Sequence, residues 1–244
     1  MSRQGAGLVL LSAVLLLAGC SREYNTELMN AAKGGDVAAV EAVFARGASV
    51  NEKSNKGKTA LMFAASEGNT EVARLLIERG ADVNLADNYG TTAIIVAATA
   101  GRDEAVALLL ENGANPRVRD QSGSAPLVNA IYFGHTNTVK LLLPKLMPLS
   151  EQDAGELLLL ASGLGHAAIV EAMIDAGVDA NGRGLKRRTA LMAAAAFDKS
   201  EVVSALLAKG ADPRAQDEDG NTALDVARDK GNDDVVQLLS AISR

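Results

Sequence analysis

The sequence predicts an all-α solenoid of about seven helix-turn-helix units, each 33 residues long and joined by short β-hairpin loops. Three observations predict it. Glycines and threonines recur at an interval of 33. Each interval carries two apolar stretches of helical length, with a glycine, or in one unit Asp198, between them. The composition is 48% hydrophobic but only 3% aromatic, without Trp, which suits thin helices packed closely rather than a thick aromatic core.

The interval holds along most of the 244 residues. Gly47, Gly80 and Gly113 are 33 apart, as are Gly57, Gly90 and Gly123, Thr59 and Thr92, Gly177 and Gly210, and Thr189 and Thr222. From Thr92 to Thr189 the step is 97, three times 33 minus two, so the array continues through a two-residue deletion. The units centre on Leu28, Leu61, Ile94, Leu127, Leu158, Leu191 and Leu224.

Within a unit each element has a local cause. Thr59, Thr92, Thr189 and Thr222 stand where a hydroxyl can cap the free N–H groups of a first helix, and Pro126 suits a first helical position. A second apolar stretch follows, such as Val72 to Leu76 or Val202 to Leu206. The glycine after it permits the left-handed turn that stops a helix. Asp87-Asn88-Tyr89-Gly90, Asp120-Gln121-Ser122-Gly123 and Asp217-Glu218-Asp219-Gly220 are turn sequences placed at hairpin tips. No unit buries its apolar face alone, so stacking must do so, and the last unit is polar outside (Asp225, Arg228, Asp229, Lys230, Asp233, Asp234, Gln237), as a terminal cap should be.

One junction departs from the pattern. Leu143-Pro144-Lys145-Leu146-Met147-Pro148 occupies the place of the helix-ending glycine, and Glu151-Gln152-Asp153-Ala154 has lost the glycine of its hairpin. The two prolines are expected to end the preceding helix, and a bend or an altered finger is expected there.

These residues resemble the ankyrin repeat family, whose period is 33. Lys58-Thr59-Ala60-Leu61 with Ala64-Ala65 and Gly68 is similar to that family's T-P-L-H-x-A-A-x-x-G segment, and Gly80-Ala81-Asp82-Val83-Asn84 to its helix-ending G-A-D-V-N. The resemblance covers Thr26 to Arg244. The family's histidine after the leucine is replaced by Met62, Ile95, Val128, Leu159, Met192 and Asp225, so its bonds between repeats are expected to be absent. The resemblance implies a scaffold that binds a protein partner through hairpin tips and the exposed side of the first helices, along a concave face.

The first residues read as an address. Arg3 precedes an apolar run from Leu8 to Ala18 that is too short to span a bilayer, which needs about twenty residues. Its end, Leu17-Ala18-Gly19-Cys20, resembles a bacterial lipobox. That resemblance implies a signal peptide over 1–19, a Cys20 acylated after cleavage, a linker over 20–25 and a repeat domain over 26–244. Multiple acyl chains hold a protein stably on a membrane. Ser21 after the cysteine, rather than aspartate, implies sorting to the outer membrane, facing the periplasm.

Composition excludes several chemistries. The formal charge is −6, and loss of Arg3 with the leader makes it −7, which argues against nucleic acid. Cys20 is the one cysteine, so no intramolecular disulfide or Cys-based metal site forms. His135 and His166 both follow a glycine, in equivalent places of adjacent units, and read as structural. Gly57-Lys58-Thr59 lacks the leading glycine of a phosphate loop, and Gly182-Arg183-Gly184 lacks a third glycine. No cofactor, metal, small-molecule substrate or catalysis is expected.

One column along the first helices reads Glu67, Ala100, Phe133, Leu164, Phe197, Lys230. Three middle units thus place Phe133, Leu164 and Phe197 in a row, with Tyr132 beside it and charges at both ends, the pattern of an interface hot spot. Tyr89 at a tip and the basic tip Lys186-Arg187-Arg188 are secondary candidates for partner contact. The resemblance also implies more specific roles: an immunity protein inhibiting a secreted antibacterial toxin such as a phospholipase, or an envelope structural or stress-protection factor.

Overall fold

The computed structural model describes residues 25–242. The leader, Cys20 and most of the linker lie outside the described residues. Seven helix pairs follow one another: α1 (Glu27–Gly34) and α2 (Val37–Ala45), α3 (Ala60–Glu67) and α4 (Thr70–Glu78), α5 (Ala93–Thr99) and α6 (Asp103–Glu111), α7 (Pro126–Tyr132) and α8 (Thr136–Leu146), α9 (Glu151–Leu164) and α10 (Ala167–Asp175), α11 (Ala190–Ala196) and α12 (Ser200–Ala208), α13 (Ala223–Lys230) and α14 (Asp233–Ile242). First helices pack on first helices and second on second, giving two layers. Among the described residues no helix is long and apolar enough to cross a membrane.

The caps follow the sequence. The hydroxyls of Thr26, Thr59, Thr189 and Thr222 accept from the backbone N–H three residues on. Thr92 stands at the cap position of α5 without that bond and forms instead a bridge with Ala86; Arg183 and Thr189 form the other. The hairpins are thus tight turns, each closed by at most one bridge. Gly80 (φ 87) and Gly113 (φ 82) take the left-handed turn that stops α4 and α6.

The core runs lengthwise between the layers. Leu28, Leu61, Ile94, Leu127, Leu158 and Leu191 are buried, with Leu224 half-buried in the last unit. Leu76, Leu109, Leu142, Met173, Leu206 and Leu239 bury the facing side of the second helices. The polar residues of the outer unit, Asp225 to Gln237, are exposed as a terminal cap requires.

Polar columns lock neighbours together. Asn69 donates to the carbonyls of Ala32 and Lys33, Arg102 to that of Ser66 and Asn232 to that of Ala195. His135 and His166 occupy the same column: the Nε2 atoms lie 3.0 Å and 3.4 Å from the carbonyl oxygens of Thr99 and Tyr132. The histidines therefore join units, a specific form of the structural role read from their equivalent positions.

At the irregular junction the finger is altered. Pro144 does not end α8: the helix continues to Leu146, making 11 residues where α4 and α6 have nine. Proline here removes one bond near a helix end, and the carbonyl it would have met belongs to exposed Lys140. Met147, extended (ψ 148) before Pro148, is where the chain leaves the helix. No turn follows. Ser150 caps Asp153, and α9 runs for 14 residues, its first turns occupying the place of a hairpin tip. Stacking continues across the junction, α7 on α9 and α8 on α10.

Candidate interaction surface

Four of the tips are built on one acidic or hydroxyl side chain each. Asp87 accepts from the N–H groups of Tyr89 and Thr91, Asp120 from those of Ser122 and Ser124, and Asp217 from those of Asp219 and Asn221. Ser54 plays this part in the first tip. Ser122 Oγ–H also donates to Asp120 at 2.6 Å, and this bond, with the backbone donors, holds the Asp120 carboxyl below its usual value despite slight desolvation.

Neighbouring tips are tied directly, so the absent family histidine leaves them connected. Asn88 donates from its backbone and side chain to the carbonyls of Lys56 and Asn55, and Gln121 does the same to those of Tyr89 and Asn88. The N–H of Glu218 reaches the carbonyl of Lys186.

The predicted row is presented to solvent rather than folded into the core. Tyr132, Phe133 and Phe197 are 56%, 52% and 64% exposed, while Leu164 is half-buried. Tyr132 and Phe133 meet edge to face at 5.1 Å, and the Phe133 ring stacks on His135 at 6.3 Å. The Phe197 ring leans over Gly163, where a Cβ would lie 3.3 Å from it. All four residues sit at the C-terminal ends of first helices. Tyr89 and Lys186-Arg187-Arg188, exposed at tips, belong to the opposite end of that layer, roughly 10–12 Å away for a helix of seven or eight residues. The structure therefore exposes the aromatic residues of the row at one end of the layer and Tyr89, Lys186 and Arg187 at the other, with Arg188 and Phe197 lining one groove between them.

Between the two ends runs a groove of about 600 Å³ across α9, α11 and α13. Half-buried Leu159, Leu160 and Val226, with Phe197 and Met192, supply its apolar floor. Phe197 belongs to this groove; Phe133 and Tyr132 do not line it. A second groove, of about 530 Å³, continues it over α7 and α9, sharing Glu156 and Leu160, with Arg117 and Arg119 at its margin. Sequence reasoning missed the groove residues, Glu156 and Asp219 above all. Their signal was positional: tip and first-helix residues of successive units share one face. Among the described residues no group of three or more His, Cys, Asp or Glu side chains is placed to hold a metal ion.

Stacked helix pairs, tied tips and an open groove define a solenoid interaction scaffold. The family described as Ankyrin repeats (3 copies) matches residues 28–120, 89–153 and 157–243, and the chain belongs to it. Its sequence is 41% identical over 91 residues to the E3 ubiquitin-protein ligase hecd-1 of Caenorhabditis elegans and 39% identical over 93 residues to the E3 ubiquitin-protein ligase Ufd4 of Drosophila melanogaster. These stretches cover 37% and 36% of this chain but only 3% of either relative. Calmodulin-binding transcription activator 4 of Arabidopsis thaliana is 33% identical over 101 residues, 39% of this chain and 10% of that protein. Among solved structures, the human ASB11 ankyrin repeat domain superposes with a TM-score of 0.75 at 26% identity, covering 87% of this chain and 97% of that one.

Proposed function

We propose that this chain is a membrane-tethered, periplasmic protein-binding module that captures a protein partner on its concave face and performs no chemistry of its own. The ankyrin fold is an interaction scaffold, and that coarser role follows from family membership. The observation that carries the finer reading is the exposure of Phe133 and Phe197. Large aromatic side chains left in solvent gain burial free energy when a partner covers them, which offsets the cost of ordering them. The tether rests on the resemblance of Leu17-Ala18-Gly19-Cys20 to a lipobox.

Crosslinking in intact cells with a C-terminally tagged chain, then purification, tests this. One dominant envelope protein is expected, lost with Phe133→Asp/Phe197→Asp while the variant stays folded. Cys20→Ser should release the protein from the membrane fraction. Capture unchanged by the charged pair would overturn the concave-face reading; unchanged fractionation of Cys20→Ser would overturn the tether.

A further inference from the structure

Charge is not spread evenly along the concave surface. The groove over α9, α11 and α13 is lined by five carboxylates, Glu156, Asp217, Asp219, Asp225 and Asp229, against two cations, Arg188 and Lys230. The adjoining groove over α7 and α9 sets Arg117 and Arg119 against Asp153 and Glu156 and is balanced.

Four of the five carboxylates belong to the terminal unit. Exposure at the end of a stack explains polar residues there, and these four also line the groove wall. Asp225 and Asp229 are four residues apart on α13 and therefore share a face, a like-charge placement that destabilises a helix. Asp225 does not escape by protonation near neutrality: Thr222 donates to its carboxylate from its hydroxyl and its N–H, which favours the charged form. Lys230 lies 3.1 Å from Asp229, and Arg228, three residues from Asp225, acts on that carboxylate without lining the groove. Beneath this rim lies the apolar floor, ending at Phe197.

Resting on the protein-binding role proposed above, we infer that the groove over α9, α11 and α13 receives a basic segment of the partner protein, with Lys or Arg side chains meeting Asp219, Asp225 and Asp229 and an apolar side chain on the Leu159, Leu160 and Phe197 floor. Cations relieve the crowded carboxylates, and the apolar residue supplies burial that charge alone does not. The balanced groove beside it offers no such preference. The basic tip at Lys186 fixes direction, because the cationic part of the segment must lie toward the terminal unit.

The test uses the full-length protein and fluorescein-labelled peptides of Leu-Lys-Lys-Leu repeats, with Leu-Glu-Glu-Leu repeats and a Lys-only peptide as comparisons, read by anisotropy. The Leu/Lys peptide should bind, the Glu peptide should not, and the Lys-only peptide should bind more weakly. Asp219→Asn/Asp229→Asn should weaken Leu/Lys binding by about fivefold or more at low salt, with the difference shrinking as salt is raised. Asp219→Glu/Asp229→Glu should retain binding, and unchanged thermal unfolding confirms that the variants fold. Equal binding of the Lys and Glu peptides, no binding of either, or insensitivity to the Asn pair overturns the inference. Partner capture that depends on Phe133 and Phe197 but not on Asp219 and Asp229 would retain the protein-binding role while removing the basic segment.

Discussion

Arg117 donates from Nη2 to the carbonyl oxygen of Leu146 at 2.8 Å, across 29 residues of chain. The same interval separates Asn51 from the carbonyl of Gly80, Asn84 from that of Gly113, and Asn181 from that of Gly210. In those three an asparagine meets the glycine that ends a second helix. At the irregular junction the glycine has become Leu146, the helix runs on, and a longer donor spans to the displaced terminus. Arg117 is thus the irregular counterpart of a regular inter-repeat tie. Arg117→Ala should lower stability by about 1 kcal/mol, the worth of an accessible bond from a charged donor. Because repeat arrays couple through neighbours, the loss should fall at this interface. Urea unfolding with hydrogen exchange on α6 and α8 checks it; protection unchanged in both helices would refute the assignment.

Gly155 shows the opposite of what helix propensity predicts. It lies in the interior of α9, where alanine ordinarily stabilises by about 0.5–1 kcal/mol. A Cβ there would stand 2.6 Å from the carbonyl oxygen of Arg183 and 2.7 Å from its carbon, both backbone atoms. The extra turns of α9 press directly on the following loop. Gly155→Ala should therefore destabilise, by about 1–3 kcal/mol, measured as a lower urea midpoint. A higher midpoint would show that the loop yields freely.

The regular units were legible because backbone requirements repeat. Glycines at the ends of second helices, threonine hydroxyls at caps and aspartates in tips each answer a local need, so a 33-residue interval exposes them without any tertiary information. The junction was misread for the same reason. Comparison with the repeat made Glu151 to Ala154 a defective hairpin, whereas Ser150 followed by Glu, Gln, Asp and Ala is itself a helix start. The column containing Phe133 and Phe197 could be aligned from sequence, but register does not reveal whether a side chain at a helix end turns inward. Nor does it show that Asp219, from the tip of the last unit, and Glu156, from α9 two units earlier, line one groove.

The basic tip is made with unfavourable residues. Lys186 (φ 58) and Arg187 (φ 56) are both left-handed, and the N–H of Arg188 bonds back to the carbonyl of Leu185. Two consecutive positive φ values make a type I′ hairpin turn, for which Asn-Gly is the favoured pair. A non-glycine residue in this region costs roughly 1–2 kcal/mol. Lys186→Asn with Arg187→Gly should raise stability by about 1–2 kcal/mol, seen as a higher denaturant midpoint. If the tip contacts the partner, the more stable variant should also capture less of it. An unchanged midpoint would mean that the strain is relieved elsewhere in the hairpin.

Acid should find the tip and cap carboxylates before it finds the core. Asp225 is held below its usual value of 3.8 by the Thr222 hydroxyl first, at 2.6 Å, and then by the Thr222 N–H at 3.0 Å; Asp120 is lowered in the same direction by Ser122. A carboxyl whose folded value is depressed contributes stability that is fully present above the unfolded value and disappears as pH falls through the folded one. Their share of stability should therefore be flat above about pH 5 and decline below about pH 4. Replacing the acceptor removes the dependence, so Asp225→Asn should be less stable than the parent near neutrality and converge with it in acid. Thr222→Ala should lose part of the same pH dependence, because it removes the strongest donor to the carboxyl, but should stay below the parent in acid because the helix cap to the Asp225 N–H is lost as well. Urea midpoints between neutrality and strong acid measure both; parallel curves for parent and Asp225→Asn would show that the cap carboxyl is not coupled to folding.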